Sequence, residues 1–115
     1  MISESLPIYI DLYNLIEKLL SIAENFDRFF KFTIGQKMII DTLDLLTIVQ
    51  LTNTTTDPQE RESLLEKFLA KFGVVKTMIQ LCLNNKRISY DQSAELILIV
   101  DKIGKQATAW KNRGN

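Results

Sequence analysis

Apolar residues recur along this chain at alternating steps of three and four, the spacing of one face of a helix. Ile8, Leu12, Leu15, Leu19, Ile22 and Phe26 form the first such seam and predict a helix over 6–26. Ser5 is its expected cap, and Pro7 falls in the first turn, where a missing N–H breaks no hydrogen bond. Thr33 with Gln36 three residues later has the form of a capping box, which predicts a second helix over 34–51. Its stripe is Ile39, Leu43, Leu46 and Val49, with Met38, Ile40, Leu45 and Ile48 off that stripe. A helix apolar on two sides is either central in its domain or part of a subunit contact.

Residues 52–56 have loop composition, and Asp57-Pro58-Gln59-Glu60 then signals a helix start: aspartate as cap, proline first, glutamate closing the box. The third helix, over 58–84, carries Leu65, Phe68, Phe72, Val75, Ile79 and Cys82 on one seam. Ser89 with Gln92 opens a fourth, over 90–111, with Leu96, Val100, Ile103, Ala107 and Trp110 on its seam; 112–115 are expected to fray. Four helices with short connections predict an all-α, up-down antiparallel four-helix bundle, one domain over 1–115.

Composition narrows the chemistry. The chain has 115 residues, 46% hydrophobic and 24% charged, which suits one globular domain. It has no histidine and a single cysteine, Cys82. That inventory excludes ordinary zinc sites and every Ser-His-Asp or Cys-His nucleophile system. No glycine cluster forms a phosphate loop, so neither a cofactor nor catalysis is expected. Asp41 and Asp44 are three apart on one helix and read as solvated or salt-bridged rather than catalytic. With no basic, apolar leader and no long apolar run, the expected location is cytoplasmic, with no membrane contact.

A net charge of zero conceals a polar distribution. Residues 1–66 hold five basic and eleven acidic side chains, a net of −6; residues 67–115 hold nine basic and three acidic ones, a net of +6. The nine cations, Lys67, Lys71, Lys76, Lys86, Arg87, Lys102, Lys105, Lys111 and Arg113, are candidate contacts to phosphates of a nucleic acid. Such residues neutralise phosphates without reading bases. The alternative is that they pair with the acidic helices beside them. Gly73 and Gly104 each cost about 1 kcal/mol relative to alanine within a helix and point to close backbone approach, inside the bundle or between subunits. Trp110 is expected to close the bundle end or meet another subunit. Phe26, Phe29, Phe30 and Phe32 cluster at the first connection, as plugs of the core end or as rings for stacking on bases.

Three segments, in order, carry a family resemblance. Lys31-Phe32-Thr33-Ile34-Gly35-Gln36 resembles the segment of arginine, aromatic, threonine, leucine, glycine and acid or amide that opens the second helix of accessory variability determinant (Avd) proteins of diversity-generating retroelements. Arg87-Ile88-Ser89-Tyr90-Asp91-Gln92 resembles that family's lead-in to the last helix. Ile103-Gly104-Lys105, followed by Trp110-Lys111, resembles its C-terminal signature. The resemblance implies a homopentamer of four-helix protomers that does no chemistry itself. It also implies binding to the element's reverse transcriptase and structured template RNA in support of mutagenic cDNA synthesis. By position, Lys105 and Lys111 match basic residues of that signature, and Lys31 stands where arginine is usual. Ala107-Thr108-Ala109 replaces the family's glycines before tryptophan, and the neutral charge differs from many basic relatives. The competing resemblance is to the four-helix proteins of ribosomal RNA intervening sequences, which implies an oligomeric module that contacts only protein.

Overall fold

The computed structural model of the chain describes residues 3–113. A 3-10 turn at Ser3–Ser5 leads into α1 (Pro7–Ala23). A short helix, α2 (Arg28–Phe30), a π-helical turn at Lys31–Gly35 and α3 (Gln36–Thr54) then form one continuous rod. α4 (Pro58–Asn84) and α5 (Tyr90–Asn112) complete the molecule, and there is no strand among the described residues. α1 packs on α3 and α5, and α4 packs on α3 and α5, so each long helix has two neighbours around one core. The molecule measures 44 × 23 × 22 Å. The long dimension matches the roughly 40 Å that a 27-residue helix spans at about 1.5 Å per residue.

The seams of α1, α4 and α5 lie where periodicity puts them. Ile8, Leu12, Leu15 and Leu19 of α1 are buried, as are all six seam residues of α4 from Leu65 to Cys82. Leu96, Val100, Ile103 and Ala107 of α5 are buried too, and Trp110 is partly buried against this core. The Ser89 hydroxyl accepts from Gln92 N at 3.0 Å, and Ser89 N donates to the Gln92 side chain at 2.9 Å, closing the expected box. Cys82 is a core residue, and burial pushes its thiol up to about 11. Asn112 closes α5; residues 114 and 115 of the tail expected to fray lie outside the described residues.

At the other helix starts the capping departs in part from expectation. Ser5 does not cap α1: it lies in the 3-10 turn, and Leu6 is the N-cap, with no side-chain bond. α1 ends at Ala23, three residues early, yet Phe26 remains buried because Phe26 N donates to Ala23 O at 3.0 Å and folds the ring back onto the core. Asp57 does cap α4, accepting from Gln59 N at 3.0 Å. Glu60 does not complete that box; it accepts instead from the Thr55 hydroxyl at 3.2 Å, which itself accepts from Asp57 N.

Thr33 does not start a helix. Its hydroxyl donates to Phe29 O at 2.6 Å, inside a rod that began at Arg28 under the Asp27 cap. Back-bonding of a threonine hydroxyl to the preceding turn competes with a capping role. The wide π turn inserts one residue into the helical register. The burial stripe of α3 is accordingly Met38, Asp41, Thr42, Leu45, Ile48, Val49 and Thr52. The expected stripe is rotated away: Leu43 is exposed, Ile39 and Leu46 are half-buried, and only Val49 is shared. Three polar residues occupy buried positions because each finds a partner. Thr42 and Thr52 donate to Met38 O and Ile48 O, both at 2.7 Å, and Asp41 accepts from Lys37 at 2.6 Å and Lys71 at 3.4 Å.

Gly35 closes the π turn where a side chain would collide. A Cβ there would sit 3.2 Å from a Phe26 ring carbon, 3.4 Å from Phe30 O and 3.5 Å from the Ala23 Cβ. Gly35→Ala is expected to destabilise the fold, since overpacking costs about 1–3 kcal/mol and helix propensity returns only about 1 kcal/mol. A thermal melt followed by circular dichroism checks it; an unchanged or raised Tm contradicts the account.

Candidate interaction surface

Of the nine candidate cations, two are neutralised within the molecule. The Lys71 ammonium lies 3.3 Å from Asp44 and 3.4 Å from Asp41. Burial works against its charge, but these two carboxylates outweigh it and hold Lys71 above its ordinary value. Arg87 Nε donates to Asp27 at 2.6 Å, and another of its nitrogens donates to Asn85 O at 2.6 Å. Lys67 and Lys71, placed one turn apart by the sequence, therefore differ: Lys71 turns toward α3 and Lys67 is exposed. Among the described residues, Lys67, Lys76, Lys86, Lys102, Lys105, Lys111 and Arg113 have no ion pair. The expected alternative, full compensation by neighbouring acidic helices, therefore does not hold.

These cations do not gather on one face. Lys76 and Lys105 line a groove between α4 and α5 together with Leu69, Phe72, Val100, Gly104, Thr108 and one carboxylate, Asp101. Lys76 also lies 5.4 Å over the Phe72 ring. Lys111 and Trp110 border a hollow at the start of α4, and Trp110 with Arg113 borders another at the start of α1. Trp110 thus closes one end of the core. Acidic residues precede basic ones along α5, and along α4 with the exception of Arg61. This order also suits the helix dipoles, positive at the N-terminus and negative at the C-terminus.

The two glycines separate. At Gly104 an added Cβ would meet Phe72 at 3.5 Å, ordinary contact, and at Gly73 it would meet nothing within 4 Å. Close approach inside the protomer therefore does not explain Gly73. Gly73→Ala should raise protomer stability by roughly 1 kcal/mol through helix propensity. Chemical denaturation measures it, and a loss of stability would place another surface against this residue.

The turn between α1 and α2 and the turn between α4 and α5 meet through Arg87. Its guanidinium lies 4.6 Å over the Phe30 ring while it holds Asp27, the cap of α2. Phe30 meets Phe26 edge-on at 6.0 Å between ring centres. Two of the four clustered phenylalanines thus plug the core end, as expected. The other two do not: Phe29 is 73% exposed and Phe32 61% exposed. Tyr90, at the start of α5, is 83% exposed and lines an open hollow of about 820 Å³ with Lys86, Arg87 and Ser89. Sequence reasoning missed this meeting because Asp27 and Arg87 are 60 residues apart.

The hydrogen bond from Arg87, despite slight burial, holds the Asp27 carboxyl below its ordinary 3.8. Folding lowers this group's value, so its contribution to stability is complete above the ordinary value and is lost as pH falls through the lower, folded one. The difference in Tm between the wild type and Asp27→Asn should therefore be constant near neutrality and shrink toward acid. A gap that widens below pH 3.8 contradicts the assignment.

A second surface is apolar. Leu20, Ala23, Phe32, Gly35, Ile39 and Ile40 line a trough of about 320 Å³ between α1 and α3, whose rim also carries Glu24, Lys31 and Gln36. Tyr13, Leu43 and Leu51 are also exposed on these two helices. Asp41 and Asp44 are held by lysines, and Asp41 is 2% exposed, which leaves them no solvent-facing carboxylate pair for acid–base work. No group of three or more potential metal ligands occurs among the described residues, and no described helix is long and apolar enough to cross a membrane. In comparison with known proteins, no family model matches the chain, and no curated protein and no solved structure matches it significantly.

Proposed function

We propose that this chain is a non-catalytic accessory protein of the Avd type, which binds a reverse transcriptase and its template RNA in support of mutagenic cDNA synthesis. The observation that carries the reading is the set of cations on α4, α5 and the turn between them that no intramolecular carboxylate neutralises. Lys76 and Lys105 beside the α4–α5 groove, and Lys102, Lys111 and Arg113 further along α5, are the proposed contacts. Phosphates would release counterions on meeting them, so binding should weaken steeply with salt. The protomer is read as an up-down antiparallel bundle. The resemblance implies five copies, and the exposed apolar residues of α1 and α3 are the proposed contact between them.

A second reading rests on that same apolar surface together with the zero net charge: an oligomeric module of the intervening-sequence type that meets only protein. Titration with structured RNA and with the polymerase across a salt series separates the two, with light scattering to count subunits. Oligomers without affinity for RNA favour the second reading. No binding to RNA or polymerase at low salt overturns the first.

A further inference from the structure

We infer that the hollow at the α4–α5 turn is a nucleotide site, with Lys86 for the phosphate, Tyr90 for the base face and the Gln80–Asn84 amide pair for the base edge. The inference stands apart from the accessory-protein reading, because it uses neither a polymerase nor the cations of α5. The first observation is conformational. Lys86 has a φ of 60°, the only positive value at a non-glycine residue among the described residues. Arg87 N donates to Cys82 O at 2.8 Å and Lys86 N donates to Leu83 O at 3.0 Å. Lys86 therefore holds the left-handed position that closes a helix end, a place that most often falls to glycine because a Cβ is disfavoured there. The C-terminus of α4 favours a cation, but Arg87 one residue on already supplies it. Lys86 itself is exposed and has no ion pair among the described residues. A costly backbone position that keeps a side chain the fold does not use marks a functional site.

The lining of the same hollow supplies the rest. Its volume of about 820 Å³ lies within the roughly 300–1,000 Å³ of small-molecule sites. Lys86 and Arg87 line it and no carboxylate does, whereas Asp101 lines the α4–α5 groove and Glu24 the α1–α3 trough. Asp91 follows Tyr90 in the chain but does not border the hollow. Arg87 is taken up by Asp27 and Asn85 O, which leaves Lys86 as the cation for an anion. Tyr90 lines the hollow with most of its ring in water, open to a planar partner. Gln80 and Asn84 line it too, and Gln80 Nε2 donates to Asn84 Oδ1 at 2.9 Å. That bond fixes the two amides and leaves an acceptor on Gln80 beside a donor on Asn84, an array that a base edge matches. An inorganic anion needs neither ring nor amides; a base bearing a phosphate uses all three. A free nucleotide and an unpaired nucleotide of a longer strand share this chemistry.

Titration with adenosine monophosphate, followed by NMR, tests this, with adenosine, inorganic phosphate and a short oligoadenylate strand as the other probes. The monophosphate should bind saturably, shift the side-chain amide signals of Gln80 and Asn84, and bind about fivefold or more tighter than adenosine or phosphate. Tyr90→Ala should weaken it about fivefold or more. Lys86→Gly should reduce its affinity to that of adenosine while raising Tm, and Lys86→Arg should retain the affinity. Binding lost as stability rises is a result that a merely structural lysine does not give. Both side chains are exposed, so circular dichroism should find the variants folded. A strand bound more tightly than the monophosphate identifies the ligand as an unpaired nucleotide of RNA; a strand bound no better identifies it as a free nucleotide. Phosphate bound as tightly as the monophosphate, no saturable binding of monophosphate or strand, or full affinity in Tyr90→Ala and Lys86→Gly overturns the site. A Tm lowered by Lys86→Gly overturns it as well, since the lysine then serves the fold. If the site falls while structured RNA or a polymerase is bound, the accessory-protein reading stands; if the monophosphate is bound and neither of those is, that reading alone falls.

Discussion

Phe68→Ala should lower the free energy of unfolding by about 3–5 kcal/mol, the range for deleting a fully buried aromatic ring. Phe68 is 0% exposed in the middle of α4, with its ring centre 5.8 Å from that of Phe72. α4 packs on both α3 and α5, so the vacated space would border two helix pairs at once. Neither pair can close it without opening the other, which puts the cost toward the upper part of the range. Domains of this size are stable by only about 5–15 kcal/mol, so the variant should unfold at much lower urea concentration. Phe29→Ala is the control: the same deletion on an exposed ring should change stability by less than about 0.5 kcal/mol. A loss at Phe68 below about 1 kcal/mol would mean that the core is not arranged around α4 as described.

The second large effect lies at the buried carboxylate of α3. Asp41 is almost wholly enclosed, and its partners are Lys37 at 2.6 Å on its own helix and Lys71 at 3.4 Å on α4. Lys37→Met together with Lys71→Met retains both aliphatic stems and removes both cations, stranding a buried charge. The expected cost is about 3–5 kcal/mol. Either substitution alone should cost much less, because one cation remains. Asp41→Asn in the double variant should recover a large share of the loss, since the burden is the unpaired charge rather than the missing stems. Urea denaturation of the wild type, the two single variants and the double variant measures the coupling, and the Asp41→Asn triple variant measures the recovery. If the double variant behaves as the sum of two small losses, the carboxylate is not enclosed and the account of the α3 stripe falls with it.

The same carboxylate explains where sequence reading of the fold stopped. On α1, α4 and α5 the buried residues, Ser93 apart, are apolar and follow the helix period, so the core face can be read from the order of residues. On α3 the buried face includes Asp41, Thr42 and Thr52, and a search for apolar spacing selects Leu43 instead, which is exposed. Thr42 and Thr52 conceal themselves by bonding to the preceding turn, and Asp41 by recruiting a lysine 30 residues away. The π turn adds to the shift, and no local signal distinguishes Thr33 as a mid-helix back-bonder from Thr33 as a cap. The candidate site divides the same way. Cations in the latter half are countable in the chain, but which of them remain unpaired depends on the facing helix.

Residue order by itself determined that the chain is helical, where its long helices lie, how α5 is capped, and that histidine chemistry is excluded. These properties depend on contacts within four residues or on composition alone. Tertiary structure decided the rotation of α3, the loss of Lys71 and Arg87 from the free cations, and the meeting of two distant turns through Arg87, Asp27 and Phe30. Those outcomes depend on groups tens of residues apart, because an ion pair or an exposed ring is defined by what packs opposite it, and that neighbour is chosen only when the helices come together.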